Sequence, residues 1–581
     1  MKLSDYVVKF LIKENITHVF EICGGAVTHL LDSLYGRKKI LTLSMHHEQA
    51  AAFAAEGYSR TNGNIGVAMA TSGPGATNLI TGIGSCFFDS IPALFITGQV
   101  NTYEFKFNQP VRQIGFQETD IVSIVRPIVK DVVLIKDAKK IRYCLEKAVY
   151  IAKTGRPGPV LLDIPMNIQR ADINPKLLKS FNIPYQRKSS NVLNQKLIKR
   201  IREFLNASSR PIVLIGGGVR LAKAGDELFR LIKKTEVPVV SSLMGLDAFP
   251  HDHPSFVGMF GSYGNRYANL AVANSDLILA LGIRLDTRQT GTNPKTFARF
   301  AKIIHVDIDR YELNNKVKVD IAINSDLKVF LKTLNSKLTS FDKQRITPWL
   351  KRISAYKKKY PSFQNYRGKV IEPNFFIHKL SEFIPQGAVV CVDVGQNQMW
   401  AAQSLKLAKS QRFLTQGGMG AMGSALSMAI GAACTQPRKT IVVITGDGGF
   451  QLNSQELQTV YHHKLPIKII LLNNRCYGMV RQFQEQYFKS RLQSTVIGYS
   501  EPDFQKVVSA YKIKTAKITK KNQITKALNK LFKTKTPEFL EIGIEPCSKV
   551  LPKLSVNRPL EEQDPLLSYK ELKSNMIVEL L

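Results

Sequence analysis

Short apolar runs, each closed by glycine, proline or small polar residues, recur along the chain and alternate with helix-length amphipathic stretches. Residues 1–170 hold THVFEICGG, NIGVAMATSGPGATN, IPALFITGQ and GPVLLDIPM. After a polar stretch, FNIPYQRKSSN (181–191), that reads as a linker, a second block spans 190–340. It carries RPIVLIGGGV, VPVVSSLMGL, DLILALGIRLD and KIIHVDIDR. A third, 365–548, carries AVVCVDVGQNQ, KTIVVITGDGG, IKIILLNN and EFLEIGI, and a proline-containing tail follows at 549–581. Strands buried on both faces and separated by helices predict an α/β chain: three doubly wound, parallel-sheet domains.

Composition narrows the class. A hydrophobic share of 44% supplies ordinary cores. The first residues, MKLSDYVVKFLIKEN, read as an amphipathic helix interrupted by Lys9, Lys13 and Glu14, unlike a leader or an anchor. No apolar run nears the ~20 residues a membrane span needs. Seven dispersed cysteines without a CxxC pair fit reduced thiols, so a cytoplasmic protein is expected. The net charge of +36 raises nucleic-acid binding, but the lysines are spread out. Their densest stretch, 512–535, has helical spacing that reads as a solvated face, so no nucleic-acid partner is expected.

The stretch TGDGGFQLN (445–453) carries the chemistry. Asp447 follows the apolar run IVVI, and a lone carboxylate at a buried strand end is costly unless a cation meets it. Residues 440–478 read as one β-α-β unit, with a helix over roughly Ser454–His463 and a second strand, IKIILL, ending at Asn473 and Asn474. Side-by-side parallel strands would bring Asp447 and Asn474 to one crevice edge, where α/β folds bind ligands. A carboxylate, an amide oxygen and a backbone carbonyl suit Mg²⁺, which also accepts phosphate oxygens. The glycines would let backbone N–H groups approach a diphosphate. By itself GDGG could be only a strand-to-helix turn capped by Asp447.

GDG followed at this spacing by NN resembles the signature of thiamine diphosphate (ThDP) enzymes. The resemblance implies Asp447, Asn474 and the carbonyl of Cys476 as Mg²⁺ ligands. Gly448, Gly449 and Gly478 would lie at the diphosphate, and Gly24 and Gly25 also on the cofactor side. MHHEQAAAFAAEGYSR (45–60) resembles the segment of the family's catalytic glutamate. TSGPGATNLITGIGSCFFDSIPALFITGQV, GRPGPVLLDIP, SSLMGLDAFP, GIRLDTRQTG, DVGQNQMWAA and GGMGAMG are similar to acetohydroxyacid (acetolactate) synthase catalytic subunits.

That resemblance implies a role for each residue. Glu48 would bond the cofactor's pyrimidine nitrogen and favour the imino form that removes the thiazolium C2 proton. His46 and His47 would be structural, because neighbours on a strand face opposite sides and HHE could not chelate together. Gln396 would support the diphosphate, while Gly420 and Met422 would meet the cofactor, Met422 propping it into its bent shape. Arg156 and Arg284 match FAD-contacting positions. The middle block, whose GGGVRLAKAG lacks a clean GxGxxG, would then bind FAD; the alternative is a vestigial domain that only holds subunits together. The family pairs the first domain of one subunit with the third of another, implying a homodimer or homotetramer with its active site between chains.

Departures from the synthases bear on the acceptor. The loop NTYEFKFNQPVRQIGFQE (101–118) is longer, Phe483 stands where synthases have tryptophan, Asn397 replaces a histidine, and Met166 replaces a lysine. The loop and tail resemble acetolactate-synthase-like flavoenzymes that join an acetyl unit from pyruvate to a nucleotide-linked keto-sugar. Arg288 keeps the position that meets an acceptor carboxylate. The expected activity is a carboligase using pyruvate and a second carbonyl, a 2-keto acid or a keto-sugar nucleotide. Phe116 and Gln117 would line the acceptor side, with Met479 and Phe483 opposite. A 2-keto acid decarboxylase or oxidase, and a basic scaffold protein, are the alternatives.

Overall fold

A computed structural model describes residues 1–184, 193–363 and 368–581. Most of the linker expected at 181–191 lies outside them.

Three six-stranded, all-parallel sheets form the frame. The first contains β1 (His18–Glu21), β2 (Leu41–Ser44), β3 (Gly66–Ala70), β4 (Ala93–Gln99), β5 (Asp131–Leu134) and β6 (Pro159–Pro165), in the order β2-β1-β3-β4-β6-β5. The second contains β7 (Pro211–Ile215), β8 (Val239–Ser241), β9 (Phe256–Met259), β10 (Leu277–Leu281), β11 (Lys302–Asp307) and β12 (Ile321–Asn324), in the order β12-β11-β10-β7-β8-β9. The third contains β13 (Val389–Val392), β14 (Arg412–Leu414), β15 (Ile441–Gly446), β16 (Ile467–Asn473), β17 (Lys514–Ile518) and β18 (Glu538–Gly543). Its order, β14-β13-β15-β16-β18-β17, repeats that of the first sheet strand for strand. The same winding therefore occurs twice, on either side of a differently ordered middle sheet.

The central strands are buried along nearly their whole length, as continuous Val/Ile/Leu runs require when helices cover both faces. Two equivalent helices, Glu48–Asn62 of the first domain and Ser424–Thr435 of the third, pack on each other with unusually close backbones. A Cβ on Gly57 would sit 2.1 Å from the Met428 carbonyl oxygen, and one on Gly431 would sit 1.8 Å from that of Ala54. Any larger residue at either position would push the helices apart. This contact fixes Glu48, the first residue of its helix, relative to the Gly417–Gly423 loop that precedes the other.

The tail is ordered. Lys553–Leu554 and Gln563–Asp564 form a small antiparallel ladder, and Tyr569–Asn575 is a helix. The segment ties the third domain to the second through Leu554 N–H to the Ser262 carbonyl (2.7 Å), Gln563 Nε2 to the Gly264 carbonyl (2.8 Å) and a part-buried Arg299–Glu561 ion pair (2.7 Å). Among the described residues, no helix is long and apolar enough to cross a membrane.

Candidate active site

β15 and β16 run side by side with Gly446 opposite Leu472, so Asp447 and Asn474 leave the sheet at one edge, as the strand pattern predicts. One boundary differs from expectation. The helix begins at Asp447, not near Ser454, and runs to Leu452; a second helix covers Leu457–His462. The break falls at Asn453, whose side chain is turned inward to donate to the Gly423 carbonyl (2.9 Å).

At this edge three oxygens converge. Asn474 Oδ1 lies 3.2 Å from Asp447 Oδ1 and 3.0 Å from the Cys476 carbonyl oxygen, while its Nδ2 donates to Gln396 Oε1 (2.8 Å). Turning the amide over would create two hydrogen bonds but set Asn474 Oδ1 against Gln396 Oε1, acceptor to acceptor. Gln396 cannot turn in compensation, because its Nε2 already donates to Gln482 Oε1 (3.2 Å) and the Ser548 carbonyl (3.1 Å). The donor set fits a hard divalent cation: octahedral Mg²⁺ ligands at 2.0–2.1 Å place neighbouring oxygens about 3.0 Å apart. Asp447 is 2% exposed, and burial pushes its carboxyl up to about 6 despite the 2.5 Å hydrogen bond from Tyr499 to its other oxygen. A nearby cation would offset that burial penalty.

The NN pair divides its work. Asn473 accepts from Arg475 N–H (3.0 Å) and donates to Glu541 (3.0 Å), shaping the turn and leaving Asn474 to the site. The adjoining cleft, of about 470 Å³, is lined by Gln396, Met422, Asp447, Gly448, Gly449, Asn474, Cys476, Gly478, Met479 and Trp400 among others, all from the third domain. Gly448 carries the Tyr477 ring where a Cβ would stand (2.4 Å), and Gly478 carries Gln396 Oε1 (2.0 Å). The Met422 loop is pinned at both ends. Asp89 accepts from Gly417 and Gly418 N–H (3.0 and 2.8 Å), and Asp393 accepts from Gly423 N–H (2.9 Å). Gly420 takes a positive φ (+69°) within it.

Glu48 lies in a second cluster, at the corresponding edge of the first sheet. The HHE trio sits at a helix start, not on a strand: β2 ends at Ser44, and His47 Nδ1 accepts from Gln49 N–H (3.0 Å) as a cap. The structural role expected of His47 is therefore local capping, and His46 turns toward Thr459 and Glu456. Glu48 Oε2 accepts from Asn78 (2.9 Å), and its Oε1 faces Gly75. Gly24 packs on Thr71, and Gly73 on Gln117, itself at φ +64°. Gly25 faces open space, and Phe116 is 86% exposed. Glu48 is only half-buried within one chain, and none of these residues lines the Asp447 cleft.

A second cavity, of about 460 Å³, lies between the second and third domains, lined by Arg284, Asp286, Arg288, Tyr263, Met399 and Gly417 among others. Arg156 is not in it. Instead Arg156 joins the first domain to the second, donating to Ser90 Oγ (2.8 Å), Glu312 (2.6 Å) and Asp309 (3.2 Å). The GGGV turn brings backbones together: a Cβ on Gly218 would lie 2.6 Å from Gly282 Cα. Met479 and Phe483 share the Gly478–Tyr487 helix, Met479 at the cleft and Phe483 44% exposed beneath the Lys553 ammonium.

Sequence reading missed Thr71 and Asn78, although both stand in the motif TSGPGATN. It also missed Tyr499 and Gln482, which act through contacts distant in the chain.

The frame and the cleft together define a class. Residues 1–124, 198–334 and 393–542 match the N-terminal TPP binding domain, the central domain and the C-terminal TPP binding domain of thiamine pyrophosphate enzymes. Acetolactate synthase 2, chloroplastic, of Nicotiana tabacum is 38% identical over 95% of this chain and 83% of its own length. The probable acetolactate synthase large subunit of Methanocaldococcus jannaschii is 38% identical over 94% of this chain and 92% of its own. The acetolactate synthase large subunit of Lactococcus lactis is 36% identical over 94% of this chain and 93% of its own. The chain belongs to the acetolactate synthase family of ThDP-dependent enzymes. Its activity is that of an acetolactate synthase-like carboligase.

Proposed function

We propose that the protein decarboxylates pyruvate and joins the resulting two-carbon unit to a second carbonyl, in a site completed by a second copy of the chain. The convergence of Asp447, Asn474 and the Cys476 carbonyl on one point carries this reading. Those three oxygens would hold Mg²⁺, with Gly448, Gly449, Gly478 and Gln396 about the diphosphate and Met422 supporting the rings between. Bound ThDP supplies the nucleophilic carbon and the electron sink for decarboxylation, chemistry that belongs to the cofactor.

The chain's own residues orient and move protons. Glu48 would share a proton with the pyrimidine ring, its spare oxygen steadied by Asn78. Because Glu48 is half-buried and outside the Asp447 cleft, a partner's third domain would complete its surroundings, which supports a homodimer or larger. Arg288 would meet an acceptor carboxylate, with Phe116 and Gln117 on the facing side. The cavity holding Arg284 and Arg288 would accept FAD in a structural role. Arg156 lies outside that cavity, so it would stabilise the domain junction through Asp309 and Glu312.

A 2-keto acid acceptor is the first reading. The exposure of Phe483 and Phe116 favours a second, a bulkier keto-sugar nucleotide, since phenyl in place of indole leaves a wider pocket. Purified protein incubated with ThDP, Mg²⁺ and pyruvate, with and without a keto-sugar nucleotide, separates them. Efficient acetolactate formation from pyruvate alone rejects the sugar; CO₂ release that requires the sugar rejects the keto acid. Absence of both activities rejects the proposal. A flavin absorption spectrum reports FAD separately.

A further inference from the structure

The orientation of the Asn474 amide is decided far from Asn474. Amide oxygen and nitrogen have nearly the same shape, so only hydrogen bonds set which one faces the Asp447–Cys476 corner. Asn474 Nδ2 is drawn away from that corner by Gln396 Oε1, and Gln396 is turned that way because its Nε2 needs acceptors. One acceptor is Gln482 Oε1, at 3.2 Å. Gln482 in turn is locked by the main chain of Val550, accepting from its N–H (2.9 Å) and donating to its carbonyl (3.0 Å). Asn474 and Gln482 are each 5% exposed and Gln396 4%, so water has little chance to replace a partner. The segment Ser548–Val550 is itself gripped: the Ser548 carbonyl accepts from Gln396 and Arg481, and the Lys549 carbonyl accepts from Trp400 Nε1.

We infer that Gln482 is a positioning residue for the cation site. Anchored on Val550, it sets the sense of Gln396 and thereby turns the Asn474 oxygen toward Asp447 and the Cys476 carbonyl. The residue touches neither cation nor substrate and acts through two intervening amides. This inference rests on the proposed cation site at Asp447, Asn474 and Cys476.

The test uses the full-length chain, ThDP and Mn²⁺, with free Mn²⁺ followed by electron paramagnetic resonance. Loss of a group that orients a metal ligand typically weakens affinity by ~10–100-fold. Gln482→Met should therefore weaken Mn²⁺ retention at least about tenfold. In an Asn474→Asp background the ligand is a carboxylate with two equivalent oxygens and no sense to set. There Gln482→Met should cost less than about threefold, because only the orienting role of an outer partner is removed. Unchanged retention in the Asn474 background, or an equal loss in both backgrounds, overturns the inference; the latter marks Gln482 as merely structural. If Gln482→Met does not fold, Gln482→Glu replaces it. That variant keeps the acceptor for Gln396 and Val550 N–H but gives up the donor to the Val550 carbonyl, so its Mn²⁺ retention is compared in the Asn474 and Asn474→Asp backgrounds, and an equal loss in both contradicts the relay. Failure of the native chain to retain Mn²⁺ with ThDP, and indifference of binding to Asp447→Ala, would instead reject the cation site itself.

Discussion

Asn474 Oδ1 stands 3.2 Å from Asp447 Oδ1, two acceptor oxygens brought face to face at the ends of neighbouring parallel strands. The hydrophobic pattern brings the two residues to one sheet edge but does not orient their side chains. Each side chain is held in place from outside, Asp447 by Tyr499 and Asn474 by Gln396.

Gly478 leaves the space that this arrangement uses. A methyl group there would lie 2.0 Å from Gln396 Oε1 and 2.5 Å from Asn474 Nδ2. Gly478→Ala is expected to fold and to lose ThDP–Mg²⁺ affinity by about tenfold or more, measured by quenching of tryptophan fluorescence. Trp400, one of only two tryptophans, lines the cleft and makes the readout local. Native affinity in the variant would place the cofactor elsewhere.

Glu48→Gln removes an acid while keeping the Asn78 contact. Exchange of the thiazolium C2 proton should slow by about 10²–10⁴-fold, the range of a lost general acid–base group. Metal binding, measured in parallel, should stay nearly intact. Exchange at the native rate would remove Glu48 from its role.

Phe483→Trp restores bulk and an N–H donor on the helix that carries Met479. With a 2-keto acid and a keto-sugar nucleotide in competition, the product ratio should move toward the keto acid by roughly tenfold. An unmoved ratio would show that Phe483 does not border the acceptor.

Asp163 provides a pH test of the first domain. It is buried on β6, and burial pushes its carboxyl from an ordinary 3.8 up to about 7, against hydrogen bonds from Gln99 (3.0 Å) and Thr97 (2.8 Å). Between those values the folded chain keeps a proton that the unfolded chain has released. Its contribution is thus fully present below about pH 4 and is lost as pH rises through about 7, by roughly 4 kcal/mol at most. Asp163→Asn, neutral throughout, should flatten that part of the melting temperature's decline between about pH 4 and 7. An identical slope in both proteins would show that Asp163 is ionised in the fold.

The sheets were legible because their strands are continuous apolar runs closed by glycine or proline, and the pairing of β15 with β16 followed from the short crossover between them. Asp447 and Asn474 were legible for the same reason: strand ends are fixed by the pattern. The helix start at Asp447 was not, because Gly448 and Gly449 read as a loop until Tyr477 is seen packing over the first of them. The HHE segment was misplaced because His47 caps a helix through its ring nitrogen, a use that local pattern does not signal. Gln482 gave no sign of its own, since its partner Val550 lies 68 residues away and contributes only main chain.

The most direct test is a crystal structure of the protein grown with ThDP and Mn²⁺, with anomalous diffraction recorded at the manganese edge. A single strong peak among Asp447 Oδ1, Asn474 Oδ1 and the Cys476 carbonyl, bridged to the diphosphate, is the predicted result. A peak in another cavity, or a diphosphate bound without the cation touching residues 447 and 474, would contradict it.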